Sequence, residues 1–230
     1  MTANSNIDVI IPALNEENAI GLVIEDIPSF VRNVIVVDNG STDATAKIAN
    51  EKGAIVLKEP QKGYGKACLT GIDYITKLVL QPDIVVFIDA DYSDYPAQMQ
   101  RLVEPITRNN IDFVLGSRVL GKKDAGSMMP QQIFGNWLST GLIRLIYGVK
   151  YTDLGPFRAI KFEKLKMLRM KDQNFGWTVE MQIKAIKNKL TFIEIPVDYK
   201  IRIGESKVSG TIYGSIMAGY KILYTILKYL

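Results

Sequence analysis

Short runs of consecutive apolar residues alternate along this chain with longer stretches in which apolar residues recur every three or four positions. Asp8-Val-Ile-Ile-Pro12, Val34-Ile-Val-Val37, Ala54-Ile-Val-Leu57, Ile84-Val-Val-Phe-Ile88 and Phe113-Val-Leu115 are of the first kind and read as buried strands. Stretches of the second kind lie between them. Residues 15–27 place Ile20, Val23, Ile24 and Ile27 on one helical face, and residues 66–79 do the same with Cys68, Ile72, Ile75 and Val79. Residues 43–51 and 97–109 complete the series. Such β-α-β alternation predicts an α/β fold built on a doubly wound, mostly parallel sheet.

The pattern loosens after Gly116. Residues 117–130, rich in Gly, Lys, Ser and Met, predict a loop. Residues 131–148 predict an amphipathic helix carrying Ile133, Trp137, Leu138, Leu142, Leu145 and Ile146. Strand-like stretches near 157–160 and 190–199 flank a helix near 177–188, a second loop covers 200–210, and 211–230 predict a final helix. Trp137 and Trp177 read as core or interface residues. The final helix is apolar on most sides, so it packs in the core, meets a second copy of the chain or lies at a membrane surface. No internal repeat, low-complexity tract or linker interrupts residues 1–230, which read as a single domain with a C-terminal elaboration.

Composition narrows the chemistry. The 230 residues include no His and a single Cys, Cys68. That excludes a Ser-His-Asp triad, a Cys-His dyad, a His zinc site, an internal disulfide and a Cys-ligated cluster. Proton transfer falls to Asp, Glu, Lys or Tyr, and any metal site would be built of oxygens, which suits Mg²⁺ or Mn²⁺. The net charge of +4 is unevenly spread: residues 1–160 hold 15 Lys/Arg against 18 Asp/Glu, net −3, and residues 161–230 hold 13 against 6, net +7. An acidic part followed by a basic one suits a metal site followed by an anion or membrane-surface contact, though an unevenly charged soluble surface would give the same counts. The opening MTANSN is no secretory leader, and no uncharged apolar run of about 18 residues occurs. A cytoplasmic protein is expected, peripheral at most on the inner face of the membrane.

Three polar clusters follow three of the expected strands, and in an open α/β sheet ligands sit at that edge. Strand one ends in Pro12-Ala-Leu14-Asn-Glu16-Glu. Strand two ends in Asp38-Asn39-Gly-Ser-Thr-Asp43, where Ser41 or Thr42 can cap the next helix. Asp38 has no such duty, and its carboxylate can accept from a ribose or a base N–H. Strand four ends in Asp89-Ala90-Asp91, whose two carboxylates point to one side and can hold a divalent ion together with diphosphate oxygens. Lys62-Gly63-Tyr-Gly-Lys66 opens a helix, where glycines and lysines favour an approaching anion. Its spacing is not that of a P-loop.

Together with Gly116-Ser-Arg118, these segments resemble the family 2 glycosyltransferases, and within them the dolichyl- or polyprenyl-phosphate mannose/glucose synthases. The resemblance implies a Rossmann-like, nucleotide-sugar-binding sheet of the glycosyltransferase A type over residues 1–120, an acceptor part over 121–210 and a C-terminal helix over 211–230. It implies that Pro12, Leu14, Glu16 and Asp38 line a nucleoside pocket, and that Asp89 and Asp91 meet the metal and the diphosphate. Thr152-Asp153-Leu-Gly-Pro-Phe-Arg158, Gly176-Trp-Thr-Val-Glu180 and Arg202-Ile-Gly-Glu-Ser206-Lys207 are similar to further segments of that branch. The metal motif departs from its usual form, leaving Ser93 or Asp94 as third ligand. Transfer of a hexose with inversion from UDP-glucose- or GDP-mannose-type donors is then expected. A lipid phosphate acceptor needs cations, for which Arg118, Arg202 and Lys207 are candidates, with Ser206 as a donor. A hydroxyl acceptor needs a base, for which Glu180 or Asp153 is the candidate. A sugar nucleotidyltransferase is the competing enzyme class, disfavoured by the Ala-Leu-Asn-Glu-Glu loop after strand one. No nucleic-acid partner is expected.

Overall fold

A computed structural model describes residues 5–204 and 212–230. Seven strands form one sheet: β1 (Ile7–Ala13), β2 (Asn33–Asp38), β3 (Ile55–Lys58), β4 (Ile84–Phe87), β5 (Phe113–Ser117), β6 (Arg158–Lys161) and β7 (Phe192–Pro196). Their order is β3-β2-β1-β4-β6-β5-β7. The first four run parallel, as does β5 with β7, while β6 is antiparallel to both its neighbours. The expected mostly parallel, doubly wound sheet is therefore present. Strand order was not legible, because β6 and β5 are swapped relative to the chain.

Every residue of β1 is buried, which explains its apolar run from Val9 to Ile11, while the one charged residue, Asp8, is paired with Arg32 at 2.7 Å. Side chains alternate between two cores. Val9, Ile11, Val36 and Val86 pack on one face under α1 (Ile20–Glu25), α2 (Thr45–Glu51) and α4 (Met99–Asn109). Ile10, Ile35, Val85 and Phe87 pack on the other with α3 (Tyr64–Thr76), α5 (Pro130–Tyr147), α6 (Phe162–Leu168), α7 (Trp177–Lys187) and α8 (Ile212–Lys228).

Several boundaries differ from expectation for visible reasons. The first helix spans only Ile20–Glu25, because residues 15–17 are bonded to the loop after β2 instead. Asn15 N–H donates to Ser41 Oγ (2.9 Å), Glu16 N–H to Thr45 Oγ1 (2.8 Å), and Thr42 N–H to Asn15 Oδ1 (2.8 Å). Ser41 and Thr42 thus tie two loops together rather than capping α2, whose first amide, that of Thr45, donates to Asp43 Oδ1 instead (3.0 Å). The third helix starts two residues early and stops at Thr76, leaving Val79 fully exposed. A short 3₁₀ turn (Pro96–Gln98) precedes α4. Helix α6 was not expected; its Phe162, Leu165 and Leu168 are buried at helical spacing. Trp177 is core, with its ring 4.7 Å from that of Phe87, whereas Trp137 is exposed. Helix α8 is two-sided: Thr225 and Ile226 are buried, while Ile216, Tyr220, Tyr224 and Leu227 are exposed.

Candidate active site

The carboxyl ends of β1, β2 and β4 meet at one edge, where a cleft of about 280 Å³ opens. Its walls include Pro12, Ala13, Leu14 and Glu16 after β1, Asn39 after β2, Lys62, Gly63 and Tyr64 at the start of α3, and Asp89, Ala90 and Asp91 after β4. Ala67, Asn174, Phe175 and Arg202 complete it. The two aspartates of the Asp-Ala-Asp segment and the loop of Pro12 thus share one cavity.

Asp91 Oδ1 is held by Ser93, which donates both its N–H (3.0 Å) and its hydroxyl (2.6 Å). Asp91 Oδ2 faces the Arg202 guanidinium at 3.1 Å, and the same guanidinium donates to Glu16 Oε1 at 2.8 Å. The loop is also tied by its backbone, Ile203 N–H donating to the Asp91 carbonyl (3.0 Å). Asp89 Oδ1 is buried with no hydrogen-bond partner. Burial, and then the charge of Asp91, push the Asp89 carboxyl up to about 7. Both oxygens of Asp94 are buried and unpartnered too, and burial followed by the charge of Asp89 raises its carboxyl well above the usual range.

These features fit a divalent cation. An orphaned carboxylate oxygen on Asp89 and an Asp91 oxygen already facing a positive group are a hard-oxygen pair that a small cation would satisfy. Among the described residues no three acidic, His or Cys side chains form a ready-made cage. The protein would therefore supply two carboxylates, and water or ligand oxygens the rest. Ser93 is engaged with Asp91, and Asp94 does not line the cleft.

Of the residues singled out from the sequence, Pro12, Leu14, Glu16, Asn39, Lys62, Gly63, Asp89, Ala90, Asp91 and Arg202 line the cleft. Six do not. Asp38 accepts from Ser41 N–H (3.0 Å) in a tight turn, so it does have a structural duty. Lys66 pairs with Glu59 at 3.5 Å. Arg118 is clamped by Asp153, its Nε and Nη2 donating at 2.8 and 2.7 Å, and both side chains are spent on each other. Arg158 is fully buried and donates to the carbonyls of Thr178, Leu154 and Gly155; burial pulls its guanidinium down to about 10. Glu180 is fully buried between α7 and α8, accepting from Lys184, from Tyr229 OH and from the amides of Lys171 and Asp172. Ser206 and Lys207 lie outside the described residues.

The glycines of the Lys62 segment also do something other than cradle an anion. A Cβ on Gly63 would lie 2.2 Å from the Gln173 carbonyl oxygen, and one on Gly65 2.2 Å from that of Asp172. The first amides of α3 are used there: Lys66 N–H donates to Gln173 O (2.8 Å) and Gly65 N–H to Asn174 O (3.3 Å). This close approach brings Asn174 and Phe175 to the cleft. The paired glycines were the available signal for that wall, although nothing in the sequence named the segment they admit.

The chain matches the model of glycosyl transferase family 2 over residues 8–169. It belongs to that family. An uncharacterized glycosyltransferase of Mycobacterium bovis is 34% identical over 94% of this chain and 95% of its own length. A UDP-N-acetylglucosamine–dolichyl-phosphate N-acetylglucosaminyltransferase of Methanococcus voltae is 31% identical over 98% of this chain and 96% of its own. Among solved structures, glucosyl-3-phosphoglycerate synthase of Mycobacterium tuberculosis, in complex with Mn²⁺, UDP-glucose and phosphoglyceric acid, shares the fold with a TM-score of 0.78. It is 23% identical, with 99% of this chain and 80% of that one covered. This glycosyltransferase thus has the expected fold of the A type, and the nucleotidyltransferase alternative falls away.

Proposed function

We propose that the cleft binds a nucleoside-diphosphate hexose with Mg²⁺ or Mn²⁺, and that the hexose passes, with inversion, to a polyprenyl or dolichyl phosphate. The observation that carries this reading is the convergence of Asp89, Asp91 and the Pro12–Glu16 loop on one cavity. Asp89 and Asp91 would hold the metal, which would neutralise charge on the departing diphosphate. Pro12 and Leu14 offer apolar contact to a base, Asn39 fixes the neighbouring wall through its bonds to Gly63 N–H and the carbonyls of Glu59 and Gln61, and Lys62 supplies a cation at the mouth. Arg202 is the cation placed to move from the carboxylates to a phosphate once a metal replaces it at Asp91.

A phosphate acceptor is favoured over a hydroxyl because the two carboxylates expected to serve as base are committed elsewhere. Asp153 is locked to Arg118, and Glu180 is sealed under α8. An anionic acceptor needs no base. The named activity of the dolichyl-phosphate relative points the same way.

The outer faces of α5 and α8 support a membrane-surface location for that acceptor. They expose Phe134, Trp137, Leu145, Ile216 and Tyr220, and neither helix contains an acidic residue. Among the described residues no helix is long and apolar enough to cross a membrane.

The test has two steps. UDP- and GDP-hexoses are screened by thermal shift with and without Mn²⁺, and at least one is expected to raise Tm only with the metal. The stabilising donor, radiolabelled in its sugar, is then given undecaprenyl phosphate, and label is expected in the organic phase. No metal-dependent stabilisation by any donor sinks the donor reading; label released only to water sinks the acceptor reading.

A further inference from the structure

The cleft wall formed by Asn174 and Phe175 has no strand or helix of its own beneath it. Residues 170–175 are an irregular segment between α6 and α7, so their position depends on what grips them. On one side the grip is the start of α3, through Lys66 and Gly65. On the other side it is the C-terminal helix. Lys221 of α8 pairs with Asp172 Oδ2 at 3.1 Å. Tyr229, just past α8, donates its hydroxyl to Glu180 Oε1 at 2.5 Å, and Glu180 Oε2 in turn accepts the Asp172 amide at 2.7 Å. Asp172 Oδ1 then accepts the Asn174 amide at 2.8 Å, one bond from the cleft. Thr225 packs so closely on Gly176 that a Cβ there would lie 2.3 Å from its hydroxyl.

We infer that α8 is a strut for the donor pocket: Lys221, Tyr229 and Glu180 are positioning residues that set the Asn174–Phe175 wall, so that donor affinity depends on how α8 is seated. The inference rests on the reading of the cleft as a nucleotide-sugar site. None of the three side chains lines the cleft, and each acts through Asp172. Lys221 also lies against the ring of Tyr224, 5.5 Å from its centroid, so the grip reaches the exposed edge of α8.

The experiment is calorimetric titration of UDP and of GDP, each with Mn²⁺, into the full-length protein at a temperature well below Tm. Lys221→Met and Tyr229→Phe remove the polar grips while keeping most of the buried volume. Each is expected to weaken the preferred nucleotide by about fivefold or more, the lower end of typical coupling. Lys221→Arg should recover most of the loss. Lys77→Met, which removes an exposed ion pair with Asp73 on α3, should leave affinity unchanged. If the variants lower Tm yet bind as tightly as wild type, α8 is fold support only and the inference is overturned. Wild-type binding with unaltered variants overturns it too, whereas a wild-type protein that binds neither nucleotide overturns the cleft reading and this inference with it.

Discussion

Buried charge is used in opposite ways at the sheet rim and beneath the C-terminal helices. At the rim, Asp89 is half-buried in the cleft wall, and its Oδ1 is sealed from solvent with no hydrogen-bond partner. Beneath α5, α7 and α8, Asp153, Glu180 and Arg158 are fully buried, yet nearly every polar atom has its partner. Asp153 takes three bonds from Arg118 and Glu180 four donors from its surroundings. Arg158 leaves only Nε unmatched and donates through both terminal nitrogens. Burial of a charge therefore does not mark a site by itself. A buried, unmatched carboxylate oxygen on a cleft wall does, because its cost persists only where something outside the fold offsets it.

That contrast is broken most sharply by Asp89→Asn. If the rim carboxylate serves chemistry, the neutral amide should cut transfer by roughly a thousandfold, the scale of losing a group that meets charge in the transition state. Stability should hold or rise, since a carboxylate with a buried, unpartnered oxygen is replaced by a neutral group. Activity assayed with the preferred donor, alongside Tm, checks both. A large drop in Tm with modest loss of activity would show that Asp89 belongs to the structural set.

The same contrast explains what the sequence could and could not reveal. The middles of β1, β2 and β4 are buried on both faces, so they appear as apolar runs, and the segments at their carboxyl ends, Pro12–Glu16, Asn39 and Asp89–Asp91, are rim residues by position alone. Seven of the ten expected residues found in the cleft were legible for that reason; Lys62, Gly63 and Arg202 came from motif segments instead. Glu180, Asp153 and Arg158 look identical on paper to catalytic groups. What separates them is their set of partners, of which the distant ones, such as Tyr229 for Glu180 or Arg118 for Asp153, are encoded by no local pattern. Asn174 and Phe175 were missed for the converse reason: they sit in an irregular segment with no periodicity, placed only by the two glycines it packs against. Helix α6 and the swapped order of β5 and β6 are likewise tertiary facts.

From the structural side, Asp153→Ala should give the mirror image of Asp89→Asn. It strands Arg118, whose side chain is only 12% exposed, without its counter-charge. Breaking a buried pair this way costs about 3–5 kcal/mol. In a domain of this size that lowers Tm by roughly 6–20 °C. Nucleotide affinity, titrated below the lowered Tm, should stay within about twofold of wild type, because neither partner lines the cleft. Loss of nucleotide affinity in a folded variant would move the Arg118–Asp153 pair into the site.

The smallest expected effect is in the acid branch of stability. Burial alone would raise the Glu180 carboxyl, but the bonds from Lys184, Tyr229 and the amides of Asp172 and Lys171 more than offset it and hold it below its ordinary value of 4.5. A carboxyl held down in the folded state binds its proton more weakly there than in the unfolded chain. Its contribution is therefore complete above the unfolded value and drains away as the pH falls through the lower, folded one. Glu180→Gln should thus be less stable than wild type at neutral pH, with the gap in Tm narrowing between about pH 5 and pH 3. Asp89 cannot produce that narrowing, since its carboxyl is displaced upward and burying its charge costs stability at neutral pH. A Tm gap that stays constant down to pH 3 would mean Glu180 is not ionised in its bonds to Lys184 and Tyr229, and the division between matched and unmatched carboxylates would fail at its best-connected member.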